Sequence, residues 1–196
     1  YIEGATLRSY IKKNEVSLHQ RLNLITTLLE AFSFIQQKDI IHGDIHTSNF
    51  MVDKHENLRI IDFGMSNHSK LQDDELLKKG GAYYYIPPER VSKEPFKILN
   101  KKDTNFHAEN YQLGVIIFYI LYGDTPHSGL TWKILSDNIL NEEIVYQQKC
   151  SSDELIPANV MEVMKKALSK NPKQRYSTAN EFYQTWLNKV INHSQE

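Results

Sequence analysis

The 196-residue chain suits one compact domain, because a chain of that length buries roughly 70% of the surface it exposes when unfolded. Its 40% hydrophobic and 24% charged residues are globular values, and 23 basic against 24 acidic side chains give a formal charge of -1, which points to neither nucleic acid nor an anionic membrane as partner. The single cysteine, Cys150, excludes an internal disulfide and is expected to be a packed or surface thiol in a reducing, cytoplasmic setting.

From the amino end, Tyr1 is not an initiator methionine and no basic-then-apolar leader follows, so the expectation is an excised or processed piece without a signal peptide. Leu18, Leu22, Ile25, Leu29 and Phe32 alternate in steps of four and three, which predicts one buried helix from about Ser17 to Gln37 with Ser17 as its cap. The stretches "DII" and "NFMVD" read as short strands. "NLRIID" is expected to pair with the second through the polar turn "DKHEN", making a small hairpin whose ends carry Asp44, Asn49 and Asp62. Residues 64–89, with Gly80-Gly81, three tyrosines and Pro87-Pro88, predict an irregular functional loop.

Helical periods return from Ala108, in "AENYQLGVIIFYILYG", "TWKILSDNIL", "PANVMEVMKKALSK" and "TANEFYQTWLNKV". The longest apolar run, Val115 to Tyr122, is eight residues; it falls far short of the roughly 20 that span a bilayer and predicts a buried helix. The fold class is therefore α+β, mostly α-helical, one domain over residues 1–196 with a strand-built loop site.

The chemistry sits in "HGDIHTSN", His42 to Asn49, and "IIDFG", Ile60 to Gly64. A carboxylate and an amide oxygen that converge with phosphate oxygens suit Mg²⁺, which takes hard oxygen ligands, so Asn49 and Asp62 are candidate metal ligands. Asp44 is then left to accept a proton. Phosphoryl transfer needs little more than such positioning and charge stabilisation.

At these residues the chain resembles the protein kinases, over essentially its whole length. "HGDIHTSN" is similar to the catalytic loop H-R-D-x-x-x-x-N, and "DFG" matches intact at 62–64. "GGAYYYIPPE" stands where the family carries the segment ending in A-P-E. "ENYQLGVIIFYILYGDTPH" resembles the central helix, with Glu109 in place of an aspartate, and "LSKNPKQR" carries the arginine, Arg175, that pairs with the A-P-E glutamate, Glu89.

The resemblance implies the following roles. Asp44 accepts the substrate hydroxyl proton, Asn49 and Asp62 hold magnesium, and His42 and Phe63 pack in an apolar column beneath the loop. Residues 1–7 are similar to the segment linking the two lobes, so the Ile2 backbone would meet the adenine of ATP, Thr6 would approach the ribose and Met51 would floor the pocket. The catalytic loop is 42–49 and the activation segment 62–89. Because the glycine-rich loop and the phosphate-clamping lysine have no counterpart, the chain resembles a C-terminal lobe. The missing N-terminal lobe is then a partner beside the protein substrate, and the chain alone is expected to be inactive.

Three departures stand out. Gly43 replaces the motif arginine, His46 stands where serine/threonine kinases carry a phosphate-contacting lysine, and Ala82 replaces the threonine that touches that lysine. The expectation is a serine/threonine-directed transferase of bacterial style, slower or differently tuned, with His46 as a second catalytic residue. Alternatives are a pseudokinase or scaffold that binds a protein partner, an aminoglycoside-type phosphotransferase, for which "HGD" then histidine also speaks, and the kinase-like domain of a lanthipeptide synthetase. His42 is read as a core histidine; His19, His55, His68, His107, His127 and His193 as surface or cap residues; Tyr83 to Tyr85 as packing of a docking loop; Lys78-Lys79 as a solvated tip. Glu109 is expected to accept backbone hydrogen bonds from the catalytic loop.

Overall fold

The computed structural model describes residues 3–13, 15–62, 82–92, 94 and 105–192. Its opening strand β1 (Gly4–Thr6) runs straight into α1 (Leu7–Lys13), and α2 (Leu18–Gln36) follows. Ser17 caps α2 through a reciprocal box: its hydroxyl accepts from the Gln20 N–H while the Gln20 side chain accepts from the Ser17 N–H. The helix bounds thus match the periodicity to within a residue. The buried stripe is Leu24, Ile25, Leu28, Leu29, Phe32 and Ile35, and Leu18 and Leu22 are only partly covered at its edge.

Strands β2 (Phe50–Asp53) and β3 (Leu58–Ile60) form the expected antiparallel hairpin, with Phe50 opposite Ile60 and Val52 opposite Leu58. Asp53 fixes its turn, accepting from the His55 and Asn57 N–H groups and pairing with Arg59 at 2.9 Å. β1 adds antiparallel to the other edge of β2, so the sheet has three strands in the order β1-β2-β3. "DII" is not a strand. The Lys38, Asp39 and Ile40 N–H groups turn back onto the end of α2, and Asp39 takes φ 55°, a left-handed value that aspartate tolerates.

The core is built around α3 (Phe106–Tyr122), in which 13 of 17 residues are buried, as its apolar run predicts. Asn105 caps it, and Gly114 lets it lie close on α5 (Ala158–Ala167), since a Cβ there would meet the Ala167 Cβ at 3.0 Å. In the sequence α4 (Trp132–Asn141) comes between these two, and α6 (Ala179–Trp186), prolonged by a π turn over Leu187–Ile191, packs along α2. There Trp186 is fully buried and its indole N–H donates to the Thr26 hydroxyl at 2.8 Å. Cys150 is a buried thiol. Among the described residues no helix is long and apolar enough to cross a membrane.

Arg175 ties distant chain segments together. Its fork meets both oxygens of Glu89 at 2.8 and 2.7 Å, its remaining donors reach the Ser169, Lys170 and His107 carbonyls, and its guanidinium lies over the Tyr111 ring. Every donor of the buried cation is therefore used, which is the condition for burying a guanidinium without a large penalty. The pair expected from the sequence joins the short helical turn Pro88–Arg90 to the loop before α6.

One histidine departs from its expectation. His127 is not a surface residue but buried, and its Nε2 meets no hydrogen-bonding partner among the described residues. Burial, helped by the charge of Lys170, pushes its pKa from the ordinary 6.5 down to about 4. The unfolded chain therefore binds the proton more readily than the folded one between these values, and that stability is fully present above pH 6.5 and lost as the pH falls toward 4. Urea titrations between pH 7.5 and 4.5 should show a falling midpoint, with a shallower fall in His127→Gln; equal slopes would contradict the assignment.

Candidate active site

The loop 42–49 alternates between core and solvent. His42, Ile45, Thr47 and Asn49 are buried, Gly43 and Ser48 are exposed, and Asp44 and His46 lie half-buried between them. His42 packs its ring on Phe32 of α2, with centroids 5.9 Å apart, and Phe32 in turn tilts against Phe50 of β2. Burial lowers the pKa of His42, so this core imidazole is neutral. Phe63, its expected companion, lies outside the described residues. Gly43 takes φ 76°, the left-handed region that costs other residues about 1 kcal/mol or more.

Glu109, in the first turn of α3, reaches under this loop. One oxygen accepts from the His42 N–H at 2.7 Å and the Gly43 N–H at 3.3 Å; the other accepts from the Gln36 amide at 2.8 Å. Burial raises the pKa of this carboxyl, and the hydrogen bonds from Gln36, His42 and Gly43 oppose that rise. Gln36 also accepts the Ala179 N–H at the start of α6 at 2.6 Å, so one buried network ties α2, α3 and α6 to the loop.

On the solvent side Asp44, His46 and Asn49 come together. The Asn49 amide donates to the Asp44 carbonyl at 2.8 Å and to its carboxylate at 3.1 Å. His46 Nδ1 accepts from the Ser48 N–H at 3.3 Å, so a neutral ring carries its proton on Nε2, which stands 3.4 Å from the same Asp44 oxygen. The hydrogen bond from His46 holds the Asp44 pKa below its usual value; Asn49 adds to it, against the opposing effect of burial. Asp44 is thus an ionised carboxylate with two donors on it and a half-open face, able to accept a proton.

Asp62 follows directly on Ile61, whose N–H donates to the Asn49 carbonyl at 2.9 Å, so the hairpin holds the two candidate metal ligands on adjoining chain segments. It is exposed, takes φ 61°, and its charge reaches the buried His42. Asn49 spends its amide N–H groups on Asp44. Its Oδ1 accepts no hydrogen bond among the described residues, and with the Asp62 carboxylate it offers the hard oxygen donors that Mg²⁺ takes.

Thr6 and Met51 are direct cross-strand neighbours on the face of the sheet away from the core. The Thr6 hydroxyl accepts the Ser9 N–H at 3.2 Å, and Ile2 lies outside the described residues. Two features were not expected from the sequence. Gln36 continues the buried stripe of α2 after Leu29 and Phe32, and a polar residue in that slot was the available sign of its buried partner. Tyr85 donates its hydroxyl to Thr47 at 2.9 Å, joining the turn Ala82–Tyr85 to the loop 42–49, and no local pattern foretells that bond.

Removing the Glu109 carboxylate leaves two loop N–H groups without an acceptor and the Gln36 amide with only Asn110 Oδ1, at 3.4 Å. Glu109→Ala should cost about 3 kcal/mol or more in urea denaturation. Glu109→Gln should recover only part, because its amide would face the Gln36 NH2, whose orientation is set by the Ala179 bond. A loss below about 1 kcal/mol in Glu109→Ala would show that the network does not hold the loop.

A family model for the protein kinase domain matches residues 1–187. The chain is similar to serine/threonine-protein kinase PrkC of Bacillus subtilis, 28% identical over 187 residues that cover 92% of this chain and 27% of that protein. It is 25% identical over 185 residues to serine/threonine-protein kinase PknB of Mycolicibacterium smegmatis, and 25% identical over 188 residues to PknB of Mycobacterium tuberculosis, covering 92% of this chain and 28% of each. It thus spans little more than a quarter of the length of these relatives. With the carboxylate, histidine and asparagine of its loop braced from the central helix and the Glu89–Arg175 pair in place, this chain belongs to the protein kinase family.

Proposed function

We propose that the chain is the catalytic-loop lobe of an ATP- and Mg²⁺-dependent kinase that phosphorylates serine or threonine hydroxyls of proteins. The observation that carries this reading is the ionised Asp44, fixed by Asn49 and His46 on a loop that Glu109 holds from beneath. The relatives reported above, all serine/threonine-protein kinases, support the acceptor class.

Asp44 would orient the acceptor hydroxyl and take its proton as the oxygen attacks the γ-phosphorus of ATP and the bond to ADP breaks. Magnesium, held by Asn49 Oδ1 and Asp62, would supply positive charge to the phosphate oxygens. Thr6 and Met51, side by side on the open face of the sheet, would meet the nucleoside, with the Ile2 backbone at the adenine edge. His46 replaces a fixed lysine charge by a donor that already binds Asp44. We assign it the task of steadying that carboxylate, with a slower transfer as the consequence.

The glycine-rich loop and phosphate-clamping lysine of the family are not within these 196 residues, so we propose that transfer requires a second lobe supplied beyond them. Phe34 and Ile40, both exposed at the end of α2 that leads into the catalytic loop, suit contact with that lobe. The single cysteine, buried as a thiol, suits a reducing, cytoplasmic setting for the domain.

The test uses the full-length protein with γ-labelled ATP and a mixed protein substrate. Asp44→Asn should lower the transfer rate by about 100-fold or more with ATP binding retained, and His46→Lys should change the rate measurably. Equal rates for wild type and Asp44→Asn would overturn the kinase reading; an unchanged rate in His46→Lys would remove His46 from the reaction.

A further inference from the structure

The proton-accepting loop borders a cleft of about 210 Å³, walled by α1, the turn Ala82–Tyr85 and the chain that follows α3. Thr47 and Tyr85 form the end next to the site: their hydroxyls bond to each other, and the Tyr85 ring stands 6.4 Å from the ring of His46, which in turn touches Asp44. A peptide whose hydroxyl reaches Asp44 can therefore lay its neighbouring residues along this cleft.

The charge of the lining is biased. Arg8 and Lys12, four apart on one face of α1, supply two cations, and Asp124 supplies the single carboxylate among the described residues; the rest of the described lining, Thr47, Tyr84, Tyr85, Tyr119, Thr125 and Ser128, carries neutral hydroxyls. Lys12 is exposed and makes no hydrogen bond or ion pair among the described residues. Both charges reach inward: burial raises the pKa of the Tyr85 and Tyr119 phenols, Arg8 opposes that rise and Asp124 adds to it. A neutral substrate gains nothing from this arrangement, and a basic one is repelled.

We propose that this cleft selects substrate segments carrying an anionic residue close to the phosphorylated hydroxyl, either an acidic side chain or an already phosphorylated one, with Lys12 and Arg8 as the selecting groups. The proposal rests on the kinase reading for its acceptor site, and peptide binding tests it separately from catalysis.

The experiment takes the full-length protein in its Asp44→Asn form and four fluorescent peptides that differ only in the residues flanking one serine: glutamate, phosphoserine, alanine or lysine. Anisotropy at low salt should give about tenfold tighter binding of the anionic peptides than of the alanine peptide, a lead that shrinks as salt is raised. Lys12→Glu, a change at an exposed side chain, should erase that lead and favour the lysine peptide. Equal tightening by glutamate and phosphoserine supports recognition of charge alone, and tightening by phosphoserine alone supports recognition of a phosphate. Equal affinity for anionic and alanine peptides, or a lead unchanged in Lys12→Glu, would overturn the proposal. Charge-selective binding by a wild-type protein that transfers no phosphate would keep the cleft and sink the kinase reading instead.

Discussion

The hydrogen bonds from the His42 and Gly43 N–H groups to the buried Glu109 carboxylate are the constraint on which the site depends. A loop that turns through a left-handed glycine between a helix end and a strand has backbone donors that the sheet cannot pair. The central helix meets them with one oxygen, and Gln36 occupies the other. Since Gln36 also receives the first turn of α6, the position of Asp44 is referred to three helices of the core and not to its chain neighbours alone.

Above that support, the two loop faces have opposite chemistry. His42, Ile45 and Thr47 enter the core, and burial keeps His42 neutral. Asp44 and His46 alternate with them toward solvent, where hydrogen bonding to His46 keeps the carboxylate ionised despite partial burial. The alternation runs from Asp44 to Asn49, and the left-handed turn at Gly43 breaks it, so His42 enters the core while His46, four residues on, faces the site. The same period places Thr6 and Met51 on the open side of the small sheet while Phe50 and Val52 fill the core.

Much of this was legible in the sequence because its determinants are local or come in ordered pairs. The α2 bounds follow from the period and from Ser17 with Gln20, the hairpin from apolar runs around "DKHEN", and the buried central helix from its eight apolar residues. Glu109 beneath the loop and Arg175 on Glu89 were expectations of resemblance, and their geometry followed. The rest depends on contacts between distant segments. β1 is three residues without an alternating pattern and is a strand only because β2 offers it an edge. "DII" is drawn back by carbonyls at the end of α2, and His127 is covered by packing that no local window contains.

The claim that Glu109 holds the loop 42–49 is tested most directly by amide hydrogen exchange in the folded full-length protein, read at His42 and Gly43. Slow exchange at both, comparable with amides inside α3 and lost in Glu109→Ala, is the result this structure predicts. Exchange at the rate of exposed loop amides in the wild-type protein would contradict it, and would leave Asp44 without the support on which its proposed role as base rests.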